Sequence, residues 1–322
     1  WHLDSVKRWC EMLGAESPRD ISRTICTDVW PDLFPHQQTA VEFLKSKPHS
    51  VLGDSPGCGK TRVALVAAWM LYIADNSHMQ RPTLIVAPKS LRATWARELE
   101  AAGLPGDLVI REGLAPLAHP ETLEALRRAQ WIFCHYDILR AWWSQIAAER
   151  PLVGILDEAH LVKDSRTKRG RAVQLALSAT PYRFILTGTP ILNRVADFWS
   201  LLELATGKWT WGTPSNFMER YAGAYFDGHG LKPGKEVTNK EELQQRLECC
   251  YLRRTIDEVG LSLPAMTQSV LEVEVDEQDR VRHQQIVETA FARDVTMDDM
   301  VNALLHRRAS SAALDFMVRL RK

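Results

Sequence analysis

The run Gly53-Asp54-Ser55-Pro56-Gly57-Cys58-Gly59-Lys60-Thr61 narrows the folds open to this chain more than any other stretch. A short apolar segment, 50–52, precedes it, and an apolar run, 61–73, that reads as a helix follows. Small residues between a strand and a helix let backbone N–H groups close around an anion at the positive end of the helix dipole. A lysine and then a hydroxyl residue at the helix start suit a nucleoside triphosphate. Lys60 would reach its β- and γ-phosphates, and the Thr61 hydroxyl would bind Mg2+. One position departs from the generic pattern, because Asp54 stands where its first glycine is usual.

A second feature gives the first its meaning. The apolar stretch Pro151-Leu152-Val153-Gly154-Ile155-Leu156 runs into Asp157-Glu158-Ala159-His160. A strand ending in two acids delivers carboxylates to the carboxyl edge of a sheet, where open α/β folds bind ligands. Asp157 is the expected Mg2+ partner with Thr61, and Glu158 the group that orients and deprotonates the attacking water. Catalysis is thus expected of Lys60, Asp157 and Glu158, as hydrolysis of ATP. A kinase would need an acceptor-binding element, and none is apparent in the sequence.

Short apolar runs at 50–52, 83–87, 108–110, 131–134, 152–156 and 183–187 alternate with helical patterns at 61–73, 91–101, 120–129 and 171–178. That alternation predicts a parallel sheet with crossover helices. Residues 1–30 read as a helical preface and 31–200 as the nucleotide-binding domain. Residues 201–262 read as a helical and irregular insertion, with helices at 195–205 and 239–250. Residues 263–275 read as a return strand to the sheet edge, and 276–322 as a helical tail.

The 322 residues, 45% hydrophobic and 25% charged, are enough for a large core. A formal net charge of +0 excludes a uniformly basic coat but leaves room for a local basic groove. Cys10, Cys26, Cys58, Cys134, Cys249 and Cys250 include no Cys-x-x-Cys pair, so no zinc site is expected. No apolar run has the length of a membrane span. The chain opens Trp1-His2-Leu3 without a charged-then-apolar leader, as expected of a fragment of a soluble intracellular protein. Nucleus is expected if the source is eukaryotic, cytoplasm if bacterial or viral.

Four motifs carry a specific resemblance. Leu33-Phe34-Pro35-His36-Gln37, the loop Gly53 to Thr61, Asp157 to His160, and Leu186-Thr187-Gly188-Thr189-Pro190-Ile191-Leu192-Asn193 resemble the Swi/Snf-type DNA translocases of helicase superfamily two. Lys89-Ser90 and His135-Tyr136, both after strand-like runs, look like that family's DNA-backbone motifs. Leu252-Arg253-Arg254-Thr255 with Leu263-Pro264 resembles its joint before a second lobe. The likeness runs from about Leu33 to Val275. It implies a RecA-like phosphate-loop ATPase lobe, with an adenine-reading role for Gln37 and an aspartate normal at Asp54.

The implied nucleotide site comprises Gln37, Asp54, Gly57, Cys58, Gly59, Lys60, Thr61 and Arg62. DNA contacts are expected at Lys89, Ser90, His135, Tyr136, Lys163, Lys168 and Asn193, and coupling between ATP and DNA sites at His160, Thr187, Gly188 and Thr189. Ser178-Ala179-Thr180 spells the coupling motif of many RNA helicases, but it ends a helical stretch. A coupling motif belongs at a strand end beside the acids, which selects Thr187 to Thr189. Ser55, Pro56, Cys58 and His36 differ from the nuclear remodelling enzymes, which puts chromatin remodelling in doubt. The partners implied are double-stranded DNA and a second RecA-like lobe of the same polypeptide. An RNA helicase, a restriction-enzyme motor subunit and a scaffold with a vestigial ATP site remain alternatives.

Overall fold

The computed structural model describes residues 33–75, 81–104, 108–111, 120–162, 167–189, 195–207, 210–228, 230–234 and 236–260. Six strands alternate with helices in the order α1 (Pro35–Ser46), β1 (His49–Leu52), α2 (Lys60–Ala74), β2 (Thr83–Ala87), α3 (Arg92–Ala101), β3 (Leu108–Arg111), α4 (Pro120–Arg128), β4 (Trp131–His135), α5 (Tyr136–Ala148), β5 (Val153–Leu156), α6 (Lys168–Ala176) and β6 (Tyr182–Leu186). Helices α7 (Ala196–Thr206) and α8 (Pro214–Tyr221), the hairpin β7 (Tyr225–Phe226) and β8 (Leu231–Lys232), α9 (Lys240–Leu247) and β9 (Tyr251–Leu252) follow. The main sheet has seven parallel strands in the order β3-β4-β2-β5-β6-β1-β9.

Strands β2, β4 and β5 are buried along their whole length. Parallel strands covered on both faces need no polar alternation, which is why their sequences read as unbroken apolar runs. Successive side chains still divide between the faces. Leu52, Ile85, Phe133, Ile155 and Phe184 join the core packed by α1, α2 and α3. Val51, Leu84, Val86, Ile132, Leu156 and Ile185 join the core with α5, α6, α7 and α8. Helix α2 is apolar almost all round, with ten buried side chains from Val63 to Ile73. Among the described residues no helix is long and apolar enough to cross a membrane.

The expected parallel sheet flanked by helices is therefore present, with strand ends shifted by a residue or so. Helix α5 has no counterpart in the sequence reading, although Ile138, Leu139, Trp142 and Ile146 lie at helical spacing and are all buried. The larger difference is at the sheet edge. The edge-side neighbour of β1 is β9, inside the stretch 201–262 read as an insertion, with Val51 opposite Tyr251 and Leu52 opposite Leu252. Two residues are too short to show a strand period, so pairing to β1 decides their conformation. The preface 1–30, the expected return strand at 263–275 and the tail 276–322 lie outside the described residues.

Helices α8 and α9 are joined by Arg220, whose guanidinium donates to both oxygens of Glu242 at 2.8–3.0 Å. Tyr221 Oη donates to the same carboxylate at 2.6 Å. Polar clamps of this kind let a segment with few core residues hold its shape.

Candidate functional site

Because every strand of the main sheet runs the same way, β1, β2, β4, β5 and β6 all release their chemistry at one edge. β1 delivers the phosphate loop there, β5 the two acids and β6 the segment Thr187-Gly188-Thr189. β6 lies between β1 and β5, so the three loops are neighbours.

The phosphate loop turns into α2 through Gly59, which caps the helix with φ +78°. A side chain there would be strained, and its Cβ would lie 2.1 Å from Gln37 Nε2. Gln37 fills that space: Nε2 donates to the Cys58 carbonyl at 3.2 Å, and Oε1 accepts from the Phe34 N–H at 3.1 Å. His36 Nε2 also contacts the Cys58 carbonyl, at 3.1 Å. The expected adenine-reading residue thus leans directly on the phosphate loop. Lys60 Nζ donates to the carbonyls of Asp54 at 2.7 Å and Ser55 at 3.1 Å, bonds that phosphate oxygens can replace. Burial pushes the Lys60 ammonium below its ordinary range, and the charges of Glu158, Asp157, Cys58 and Asp54 oppose that shift. The lysine and both acids therefore share one electrostatic site although nearly a hundred positions separate them in sequence.

Asp157 is almost fully buried and firmly held. Oδ2 accepts from the Trp95 indole Nε1 at 3.0 Å, and Oδ1 from the Glu158 N–H at 2.9 Å. Its own N–H donates to Val86 at 2.8 Å, and its carbonyl accepts from Tyr136 Oη at 2.7 Å. Burial pushes its carboxyl up. The Trp95 hydrogen bond pulls it back, Glu158 adds to the rise, and the Glu158 N–H and Lys60 oppose it. The Trp95 bond favours the ionised carboxyl, so its contribution is present above the Asp157 titration and lost as pH falls through it. Trp95→Phe is thus expected to cost about 1.5–3 kcal/mol at neutral pH for the bond to a charged acceptor, besides a packing loss independent of pH. Thermal melts without nucleotide check this. A gap between the two proteins that stays constant on acidification would contradict it.

Glu158 follows with φ +49°, a left-handed conformation that costs a non-glycine residue roughly 1–3 kcal/mol and clusters at functional sites. The turn frees the Glu158 side chain from the strand and brings Oε2 within 3.2 Å of His160 Nδ1. Thr187 is fully buried at the end of β6, where its N–H donates to Leu52 at 3.2 Å and its Oγ1 accepts from the Thr189 N–H at 3.2 Å. A Cβ on Gly188 would sit 2.9 Å from the Pro56 ring, so this segment packs on the phosphate loop itself. Ser178-Ala179-Thr180 enters β6 from the opposite end of the sheet, after α6.

At two of the expected nucleotide-site residues the side chain has a partner within the protein. The Asp54 carboxylate is buried and bonded to Arg254, so it braces the loop from within. Arg62 Nε is engaged by Glu98 Oε2 of α3 at 3.2 Å. Among the DNA-contact candidates, Lys89 and Ser90 are exposed on a 3-10 turn, Lys89–Leu91, at the end of β2, and Lys168 is exposed at the start of α6. His135 is largely buried at the end of β4, with Nδ1 3.9 Å from Asp137 Oδ2. The Tyr136 side chain is buried, with burial foremost holding its phenol well above the usual range, and it braces Asp157. Lys163 and Asn193 lie outside the described residues. The sequence reading gave no role at the nucleotide site to Arg254 or to Trp95. An aspartate inside a phosphate loop demands a cation, but sequence alone does not choose one from 40 lysines and arginines.

The residues present fit a Mg2+-bound triphosphate. Asp157 keeps acceptor capacity on both oxygens beyond its two donors, and Thr61 places a hydroxyl in the first turn of α2. Comparison with known proteins gives the chain's family. A solved structure, the Sulfolobus solfataricus SWI2/SNF2 ATPase core in complex with dsDNA, superposes with a TM-score of 0.56 at 21% identity, covering 89% of this chain and 58% of that one. That likeness supports the RecA-like fold. The human TATA-binding protein-associated factor 172 is 31% identical over 72% of this chain and 14% of its own length. The rice SNF2 domain-containing protein ENL1 is 28% identical over 71% of this chain and 25% of its own. The putative ATP-dependent helicase/translocase YwqA of Bacillus subtilis is 24% identical over 83% of this chain and 28% of its own. The chain thus spans little more than a quarter of these relatives at most. The SNF2-related domain model matches residues 36–322, nearly all of the sequence, and the chain belongs to that family.

Proposed function

We propose that this chain is the ATP-binding lobe of a motor that hydrolyses ATP to move along double-stranded DNA, working with a second RecA-like lobe. The observation that carries the proposal is the placement of the phosphate loop bearing Lys60 and of Asp157-Glu158 at neighbouring strand ends on the sheet's carboxyl edge, with only β6 between β1 and β5. An intact lysine, hydroxyl and acid pair speaks against a vestigial scaffold.

The division of labour follows from what each residue touches. Gln37 is assigned to the base, which it would meet with the second amide hydrogen and the second oxygen lone pair that its bonds to Cys58 and Phe34 leave over. Gly57 to Thr61 offer backbone N–H groups and the α2 dipole to the phosphates, and Lys60 exchanges its loop carbonyls for phosphate oxygens. Thr61 and Asp157 would hold a Mg2+ ion, which when bound would neutralise phosphate charge. Glu158 orients the attacking water and takes its proton, with His160 at its carboxylate. Because Gly188 touches Pro56, closure around nucleotide reaches the segment Thr187 to Thr189 without an intermediary.

Lys89, Ser90 and Lys168 are the exposed candidates for phosphate contacts, which position a duplex without reading its sequence. Duplex DNA is favoured over RNA by the identity of the strand-end coupling segment and by the duplex bound to the Sulfolobus structure. In a protein carrying both lobes, ATP turnover is expected to rise with duplex DNA and stay near its basal rate with single-stranded RNA. Equal stimulation by RNA would overturn the assignment to DNA. Directed motion on duplex DNA, followed one molecule at a time, tests the motor itself.

A further inference from the structure

A buried carboxylate in the middle of a phosphate loop requires an explanation. Asp54 is 2% exposed. Both oxygens are taken by one residue 200 positions later. The Arg254 backbone N–H donates to Oδ1 at 2.8 Å, its Nε to Oδ1 at 3.2 Å, and its Nη2 to Oδ2. The fork does not stop there. Nη1 donates to the His36 carbonyl at 2.7 Å, and the Arg254 carbonyl accepts from the Ser55 N–H at 3.0 Å. Just upstream, β9 continues the seam: Val51 N–H donates to Cys250 and Gly53 N–H to Leu252, both at 2.7 Å.

One guanidinium therefore joins three pieces of the nucleotide site: the loop before the phosphates, the helix start bearing Gln37, and the chain leaving the sheet after β9. His36 sits beside Gln37, and both side chains meet the Cys58 carbonyl. A lysine could neutralise Asp54, but a single ammonium lacks the planar fork that grips a carboxylate while also reaching a carbonyl.

We infer that Arg254 is a positioning residue for nucleotide, locking the phosphate loop and the Gln37 segment into one preformed cradle through Asp54 and the His36 carbonyl. This rests on the reading of the loop as an ATP site. It predicts that breaking the fork weakens nucleotide binding even where the protein stays folded, and that Asp54 and Arg254 act as a unit.

The test is the affinity of this chain for a fluorescent ATP analogue with Mg2+, measured well below each protein's melting temperature. The proteins are the unsubstituted chain, Lys60→Ala, Arg254→Lys, Arg254→Gln, Asp54→Asn and the double variant Asp54→Asn/Arg254→Gln. Arg254→Gln and Asp54→Asn are each expected to weaken binding about tenfold or more, since each strands a buried polar partner. Arg254→Lys should fall between them and the parent, and the double variant should be no weaker than the weaker single. Arg220→Gln, which breaks the Arg220–Glu242 pair, should leave affinity within about twofold, as expected of an exposed pair. If Arg254→Gln does not fold, the near-isosteric Asp54→Asn decides. Parental affinity in folded Asp54→Asn and Arg254→Gln, or losses in the two that simply add, would overturn the inference. A parent that binds no analogue overturns the ATP-site reading and the inference with it. Binding lost in Lys60→Ala but unchanged in the fork variants overturns the inference alone.

Discussion

Glu158→Gln, in a protein carrying both lobes, is expected to slow DNA-stimulated ATP hydrolysis by ~10²–10⁴-fold, the usual worth of a positioned general base. Nucleotide binding should change little. The amide keeps the shape of the side chain at its left-handed turn and removes only its ability to take a proton from water. Lys60→Ala should differ in kind. Its ammonium is directed at the loop and shares charge with both acids, so its loss weakens binding as well as turnover. Steady-state hydrolysis together with analogue binding separates the two. A Glu158→Gln protein that retained near-normal turnover would remove Glu158 from the mechanism.

The 322-residue chain by itself should hydrolyse ATP on the order of 10³–10⁵ times more slowly than a two-lobed protein, the worth of an arginine reaching the γ-phosphate across a cleft. The described residues build one main sheet with one phosphate loop, and the partners found for Lys60, Asp157 and Glu158 come from that sheet and the helices packed on it. Stabilisation of charge on the far side of the nucleotide then has to come from elsewhere. Fast turnover by this chain, with DNA and no added partner, would show that one lobe suffices.

What sequence conveyed and what it withheld divide along a physical line. Local chemistry was readable. The Gly-rich turn into an apolar helix, the apolar strand closing on Asp157-Glu158, and the choice of Thr187 over Thr180 as the strand-end threonine each depend on a few adjacent residues. Long-range commitments were not. Asp54 counted as a ligand residue because of its place in the motif, whereas its carboxylate belongs to Arg254. Tyr136 counted as a DNA contact because it follows a strand, whereas its hydroxyl reaches back to Asp157. Arg62 was assigned to nucleotide for its neighbours in sequence and is paired with Glu98 on the next helix. Edge strand β9 shows the same limit in the backbone. Its two residues carry no period, and only β1 makes them a strand.

A single metal-bound triphosphate, held by both the phosphate loop and the end of β5, is the meeting point of the proposed site. A crystal structure of the chain with a non-hydrolysable ATP analogue and Mn2+ in place of Mg2+ tests it most directly, because the anomalous signal of manganese locates the ion without assumption. The predicted result is one manganese peak between the Thr61 hydroxyl and the Asp157 carboxylate, with Lys60 on the outer phosphates. A nucleotide bound away from Lys60, or a manganese site out of reach of Asp157, would contradict it.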